Sequence, residues 1–245
     1  MRQYDFIEGE ILYIDKPLGW TSFDAVKRVR GAITRRLGIK KIKVGHAGTL
    51  DPLATGVMII TTGRATKQIE TLQAGVKEYI AVLEIGATTP SFDLETQIDA
   101  TYSTDHITEE AVRESLTHFL GRIEQVPPAF SAIKIDGKRA YNLARKGHTP
   151  DLKPKILVID EIELLHFEEQ PDGRKKAEIR VVCSKGTYIR ALARDIGESL
   201  GSGAHLTSLR RTRVGNVSVD ECMNVDDAVN FIYSAPLIFK EEKTN

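Results

Sequence analysis

Along the chain the spacing of hydrophobic positions switches between a strand period and a helix period. "EILYIDKP" alternates, with apolar Ile11 and Tyr13, and closes at Pro17, which predicts a strand. In "TSFDAVKRVRGAITRRLG" the spacing lengthens: Val26, Val29, Ile33 and Leu37 form a helical stripe, Thr21 or Ser22 supplies the cap and Gly38 the stop. "GVMIITTG" is continuously apolar and β-branched, the mark of a strand buried on both faces. "KEYIAVLEIG" predicts another strand ending at Gly86, and "ITEEAVRESLTHFLG" an amphipathic helix stopped by Gly121. "PKILVIDEIELLHFEE", "PDG" and "KKAEIRVVCS" read as a long hairpin with its turn in the middle. "TYIRALARDIGESLG" predicts a third helix, "AHLTSLRRTRVGNVSV" a strand with a basic end, and "VDDAVNFI" a short last helix. Strands and helices mix without regular alternation, so the expected fold class is α+β around a mixed or largely antiparallel sheet.

At 245 residues, 41% hydrophobic and 28% charged, the chain can bury a real core as one large domain or two small ones. Cys183 and Cys222 fit no metal-ligand or redox spacing, so free thiols in a reducing compartment are expected. No segment reaches the length of a membrane span, and the N-terminus carries acids where a leader would be apolar; a cytoplasmic protein is expected.

The net charge of zero hides a pattern. Residues 1–91 carry 13 basic and 9 acidic side chains, residues 130–157 carry 7 and 2, and residues 180–213 carry 7 and 2. The segments between and after them are acidic. If folding gathers the basic blocks, a neutral chain presents one positive face to a polyanion.

One carboxylate stands out. In "GHAGTLDPLATG", Asp51 lies between a small-residue turn and Pro52, where glycine permits unusual backbone angles and proline fixes its own. That fits a preorganised nucleophile or base, although the bare spacing favours an acid that merely caps its own turn. Arg190, on the first turn of the third predicted helix, is the natural mate for such an acid. Tyr79 and Tyr188 are aromatics that could stack on an extruded base, and His46 is a candidate phosphate or base contact; each alone fits a structural role equally well. No phosphate loop and no metal-ligand cluster is present in the sequence.

In combination these segments say more. "ILYIDKPLGWTSFDAV", "GHAGTLDPLATGVMIITTGRATK", "KEY", "VPPAFSAIKIDGKRAYNLARKG", "CSKGTYIRALARDIG" and "GAHLTSLRRTRVG", in order over residues 9 to 215, resemble the tRNA pseudouridine synthase B family throughout. The resemblance implies the pseudouridine synthase fold and isomerisation of uridine to pseudouridine in the T-loop of tRNA (position 55), without cofactor or metal. No apolar docking surface is obvious in the sequence, so a monomer is expected. It makes Asp51 the catalytic carboxylate, Arg190 its ion-pair partner, and Tyr79 the residue that stacks on the uracil and helps remove a proton. It places His46, Tyr188 and Leu209 around the flipped-out nucleotide. It casts residues of about 125–152 as a mobile thumb-like insertion closing on the T-arm stem-loop. Lys16, Lys134, Lys138, Arg139, Arg210 and Arg211 are then expected contacts to the RNA backbone. Residues 1–213 would form the catalytic domain and residues 214–245 a short remnant, where many family members continue into a separate RNA-binding domain of the PUA type.

Two other readings remain at this point. A tRNA-binding folding helper would use the same surface with isomerisation secondary, and would not need Asp51. A glycosidase acting on small nucleosides calls for two acids, whereas the motifs offer one.

Overall fold

The computed structural model describes residues 2–131, 134–135, 138–140 and 152–238. The chain divides into two compact units, Met1–Gly75 with Arg211–Asn245, and Val76–Arg210.

The first unit opens with β1 (Ile11–Lys16), α1 (Ser22–Leu37), β2 (Val44–Ala47), β3 (Ala54–Thr62) and, after a 3-10 turn, α2 (Ile69–Ala74). α1 starts in a capping box: the Thr21 hydroxyl accepts from the Asp24 N–H at 3.1 Å while the Asp24 carboxylate accepts from the Thr21 N–H at 3.0 Å. It stops at Gly38, whose φ of +66° is the left-handed cap that glycine adopts without strain. β3 pairs antiparallel with β1 along one edge and with β2 along the other.

In β1 the faces differ from the expected ones. Leu12, Ile14 and Lys16 are fully buried, while Ile11 and Tyr13 pack, half-buried, on a second cluster around Ala47, Val57 and Ile59. Both faces are covered, so the alternation of Ile11 and Tyr13 marks the less buried side.

The second unit holds β4 (Lys77–Ile85), β5 (Ala87–Thr88), β6 (Ala100–Thr101), α3 (Glu109–Thr117), β7 (Gly121–Gln125), β8 (Lys134–Ile135), β9 (Lys138–Arg139), β10 (Lys155–Glu169), β11 (Lys175–Cys183), α4 (Ile189–Ser199) and most of β12 (Ala204–Val214). β4, β11, β10 and β7 pair in that order, antiparallel throughout. The long hairpin appears as predicted. α3 ends earlier than expected, at Thr117, and Gly121 (φ +85°) opens β7 instead of stopping the helix. Most of the thumb-like insertion expected at about 125–152 lies outside the described residues, as do the side chains of Lys134, Lys138 and Arg139.

β12 carries the chain back to the first unit, where β13 (Val217–Ser218) and α5 (Val225–Ser234) complete it. The structure divides the chain differently from a catalytic domain plus a remnant. Val225, Ala228, Val229 and Ile232 of α5 share one core with Val26, Val29 and Ile33 of α1 and with Leu12 and Ile14 of β1. Ile232 is fully buried. Ile232→Ala should therefore lower the unfolding free energy by about 2–5 kcal/mol in urea titration. An unchanged midpoint would make α5 an appendage.

Candidate active site

Asp51 sits in an arch between β2 and β3. Because Ala47 pairs with Ile59, the residues between them leave the ladder on the β2 side and bow outward. The arch is pinned at several points. Ser22, at the head of α1, donates its hydroxyl to Leu50 O at 2.9 Å and accepts from Leu50 N–H at 2.8 Å, a closed pair in the interior. Pro52 O accepts from Gly19 N–H at 2.8 Å, and Ala54 N–H returns to Asp51 O at 3.0 Å. Gly48 (φ +90°) and Gly56 (φ +106°) make the bends. At Gly56 the requirement is steric as well, since a Cβ there would stand 2.1 Å from Arg211 O.

Arg211 and Lys16 complete the support. Arg211, 2% exposed, donates from Nε to Val57 O at 2.8 Å and from Nη2 to Gly48 O at 3.0 Å, with Nη1 3.5 Å from Thr49 O. One guanidinium thus ties together the two ends of the arch. Lys16 donates to Pro17 O at 2.8 Å and Trp20 O at 2.7 Å, closing the "DKPLGW" turn. Both residues stand above as RNA-backbone contacts, and the structure corrects that expectation: they are interior, and their donors meet protein carbonyls.

Burial pushes the Lys16 ammonium down from 10.5 to about 8; the Asp51 charge opposes this and the Arg211 charge adds to it. Between those two pH values the unfolded chain binds the proton that the folded chain has released, so stability rises with pH across that window. The slope from this one group reaches up to about 1.4 kcal/mol per pH unit, and Lys16→Met should abolish it. Urea unfolding at about pH 8 and about pH 10 checks this. Parallel pH dependence in the two proteins would count against a shifted Lys16.

His46, on β2, is half-buried, and its Nδ1 is buried with no hydrogen-bond partner among the described residues. Burial, then the positive Arg211, lowers its pKa, with the Gly48 backbone pulling back, so the ring is neutral near pH 7.

The other candidates belong to the second unit. Tyr79 is buried on β4 opposite Val181. Arg190, 4% exposed in the first turn of α4, donates to Ser91 O at 3.0 Å and Phe130 O at 2.8 Å, and its Nε lies 3.6 Å from the Asp93 carboxylate. Asp93 in turn accepts from the Ser91 hydroxyl at 2.6 Å and Glu95 N–H at 2.9 Å. Between Ser91 and Asp93, Phe92 holds φ at +63°, and its ring lies under the Arg194 guanidinium at 4.9 Å. A bulky residue in the left-handed region marks a loop held against its own preference. Tyr188, half-buried at the head of α4, exchanges two backbone hydrogen bonds with the buried Gln125 side chain. Leu209 and Arg210 are half-buried in the middle of β12.

Sequence reasoning missed Ser22, Asp93 and Gln125. Ser22 was legible only as a possible cap, which Thr21 turns out to be. Asp93 and Gln125 carry no local signal, because their partners are 97 and 63 positions away in the chain.

The basic block 180–213 is also less available than its charge implies. Of its seven cations, Arg180 is held by Glu78, Glu161 and Glu163, Arg194 by Asp195, and Arg190 and Arg211 are buried. A groove of about 440 Å³ in the first unit, lined in part by Lys41, Lys43, Arg64 and Lys67, offers cations instead. Among the described residues no cluster of acids, histidines and cysteines could hold a metal ion, and no helix is long and apolar enough to cross a membrane.

The family model described as "TruB family pseudouridylate synthase (N terminal domain)" matches residues 35–189. The chain belongs to the TruB family. A second TruB model, "tRNA pseudouridylate synthase B C-terminal domain", matches residues 190–236 and so takes in α5. The tRNA pseudouridine synthase B of Phocaeicola vulgatus is 67% identical over 91% of this chain and 92% of its own length. That of Parabacteroides distasonis is 61% identical over 98% and 100%, and that of Mycobacterium leprae 45% identical over 89% and 67%. Among solved structures, "Crystal Structure of a Cbf5-Nop10-Gar1 Complex" aligns with a TM-score of 0.67 and 30% identity over 93% of this chain. "Structure of H/ACA RNP bound to a substrate RNA containing 2'-deoxyuridine" gives 0.65 and 27%. The TruB-family chain spans 55% of the length of each of these two solved chains. It is an isomerase that converts uridine to pseudouridine in tRNA, on the pseudouridine synthase fold.

Proposed function

We propose that the enzyme isomerises the T-loop uridine of tRNA, conventionally position 55, through Asp51 acting on a base turned out of the loop. The observation that carries this reading is the arch: a carboxylate is presented on a loop fixed by Ser22, Gly19 and Arg211, the rigidity a reacting group needs. The reaction breaks the bond from ribose C1′ to uracil N1, joins C1′ to C5, and moves one proton off C5 while N1 gains one. No electron donor or group carrier enters the balance, so the reading carries no cofactor and no metal. The carboxylate serves in either of two ways, as nucleophile or as a base that forms a glycal-like intermediate.

Arg190 is the ion-pair partner that keeps Asp51 ionised, and Tyr79 stacks on the uracil and assists removal of the C5 proton. His46, neutral and with no partner for Nδ1 among the described residues, supplies a hydrogen-bonding edge to the extruded nucleotide, and Tyr188 and Leu209 supply its walls. Arg210 and the thumb-like insertion, with Lys134, Lys138 and Arg139, contact phosphates of the T-arm. The reading further holds the enzyme to be a cytoplasmic monomer.

Tritium release from a T-arm stem-loop labelled at uracil C5 tests the assignment. Release that disappears when the target uridine is replaced by cytidine supports it. Tight binding without release would overturn it and favour a folding helper.

A further inference from the structure

The charge that the interior residues do not offer appears on α1. Residues 22–43 contain eight cations and one acid in a chain whose total charge is zero. All of the cations but Arg30 are exposed. The acid, Asp24, has its carboxylate occupied by the Thr21 N–H and hydroxyl at the helix cap. Arg28 lies 3.5 Å from the exposed Asp226, a contact that contributes little in water. Among the described residues, no ion pair forms with Lys27, Arg35, Arg36 or Lys40.

Three of these cations, all on α1, frame a groove. Gly19, Trp20, Asp24, Lys27, Arg28 and Arg35 line an open depression of about 480 Å³. Lys27, Arg28 and Arg35 follow helical spacing, and at Gly31, one turn from Lys27 and from Arg35, a Cβ would stand 3.6 Å from Arg35 Nη2, so the guanidinium lies against the bare helix there. A glycine inside a helix lowers helix stability by up to about 1 kcal/mol relative to alanine, so this arrangement comes at a cost to the fold. The head of the groove adjoins the arch: Gly19 N–H bonds to Pro52 O, one residue past Asp51. Sixteen residues of helix extend the basic face about 24 Å from there.

We propose that this face of α1 is a second RNA-binding surface, which tracks the phosphate backbone of a stem of the same tRNA beyond the T-arm. It rests on the reading of the enzyme as a T-loop isomerase, and extends it. Charge complementarity selects the occupant, since an open groove with exposed ammonium and guanidinium groups and almost no acid fits a polyanionic backbone. The face positions the substrate and takes no part in the chemistry.

The test compares whole tRNA with the isolated T-arm stem-loop, using the Lys27→Gln, Arg35→Gln double variant. Glutamine has nearly the helix propensity of the residues it replaces, and the stem-loop reaction reports whether the arch is intact. For whole tRNA, KM should rise about tenfold with kcat unchanged, and the slope of log KM against log salt should become shallower by about 2. For the stem-loop, both constants should stay within about twofold of the natural enzyme. Lys27→Arg with Arg35→Lys, which keeps both charges, should restore binding of whole tRNA. An unchanged KM for whole tRNA would overturn the proposal, and so would an equal rise for both substrates. Failure of the natural enzyme on the stem-loop would instead refute the T-loop assignment.

Discussion

Asp51→Asn should lower turnover at least about a thousandfold and leave affinity for tRNA within a few fold. Asparagine keeps the shape of the side chain but has no charge, so it serves neither as nucleophile nor as base. The hydrogen bonds that pin the arch engage the backbone of Gly48, Leu50, Pro52 and Val57, which the substitution leaves in place. A cooperative urea transition checks that the variant folds. A second effect follows from the same substitution. The Asp51 charge is the largest of those that hold the buried Lys16 ammonium up against desolvation, so removing it should drop the Lys16 pKa further below about 8. The pH window in which stability climbs then widens on its acid side. Tritium release under single-turnover conditions measures the first effect, and urea unfolding across pH measures the second. Retention of more than about a tenth of the natural rate would remove Asp51 from the chemistry, since general-base assistance alone accounts for about a hundredfold or more.

The local elements were legible because their signals are local. The cap at Thr21 or Ser22, the Gly38 stop, the apolar run of β3 and the hairpin of β10 and β11 each rest on residues a few positions apart. The arch itself was visible in outline, since Gly48, Pro52 and Gly56 limit its backbone whatever surrounds it. The sequence was misleading where a charged residue turned inward. Lys16 and Arg211 read as cations for RNA, yet both are buried with protein carbonyls as partners. Composition cannot distinguish a surface cation from one that caps an interior carbonyl, because the carbonyl is contributed by distant chain. The same blindness hid Asp93 beside Arg190 and made residues 214–245 look like a remnant, although α5 shares one core with α1. The positive face proposed on α1 was legible only as part of the basic block 1–91, since charge counts do not say which cations share a side.

Arg211→Lys should destabilise the protein by about 2–4 kcal/mol and lower kcat by about ten- to a hundredfold, with KM little changed. The guanidinium reaches Val57 O and Gly48 O from two different nitrogens, across the mouth of the arch. A single ammonium on a flexible stem cannot span both at good geometry, and the carbonyl left over stays buried without a donor. Backbone movement offers no escape on this side, because Gly56 already lies so close to Arg211 O that even a Cβ would collide. The arch should therefore loosen at its ends and let Asp51 drift, which affects the chemical step more than binding. Arg211→Met separates the two things the residue supplies. It removes the charge as well as the fork, and that charge adds to burial in holding down the pKa of both Lys16 and His46. In the methionine variant both pKa values should rise toward their ordinary values, whereas in the lysine variant, which keeps the charge, they should move little. Urea unfolding gives the stability of each variant, and NMR titration of the His46 ring gives the electrostatic part. A lysine variant as stable and as active as the natural enzyme would show that charge alone holds the arch and that the two-point fork adds nothing.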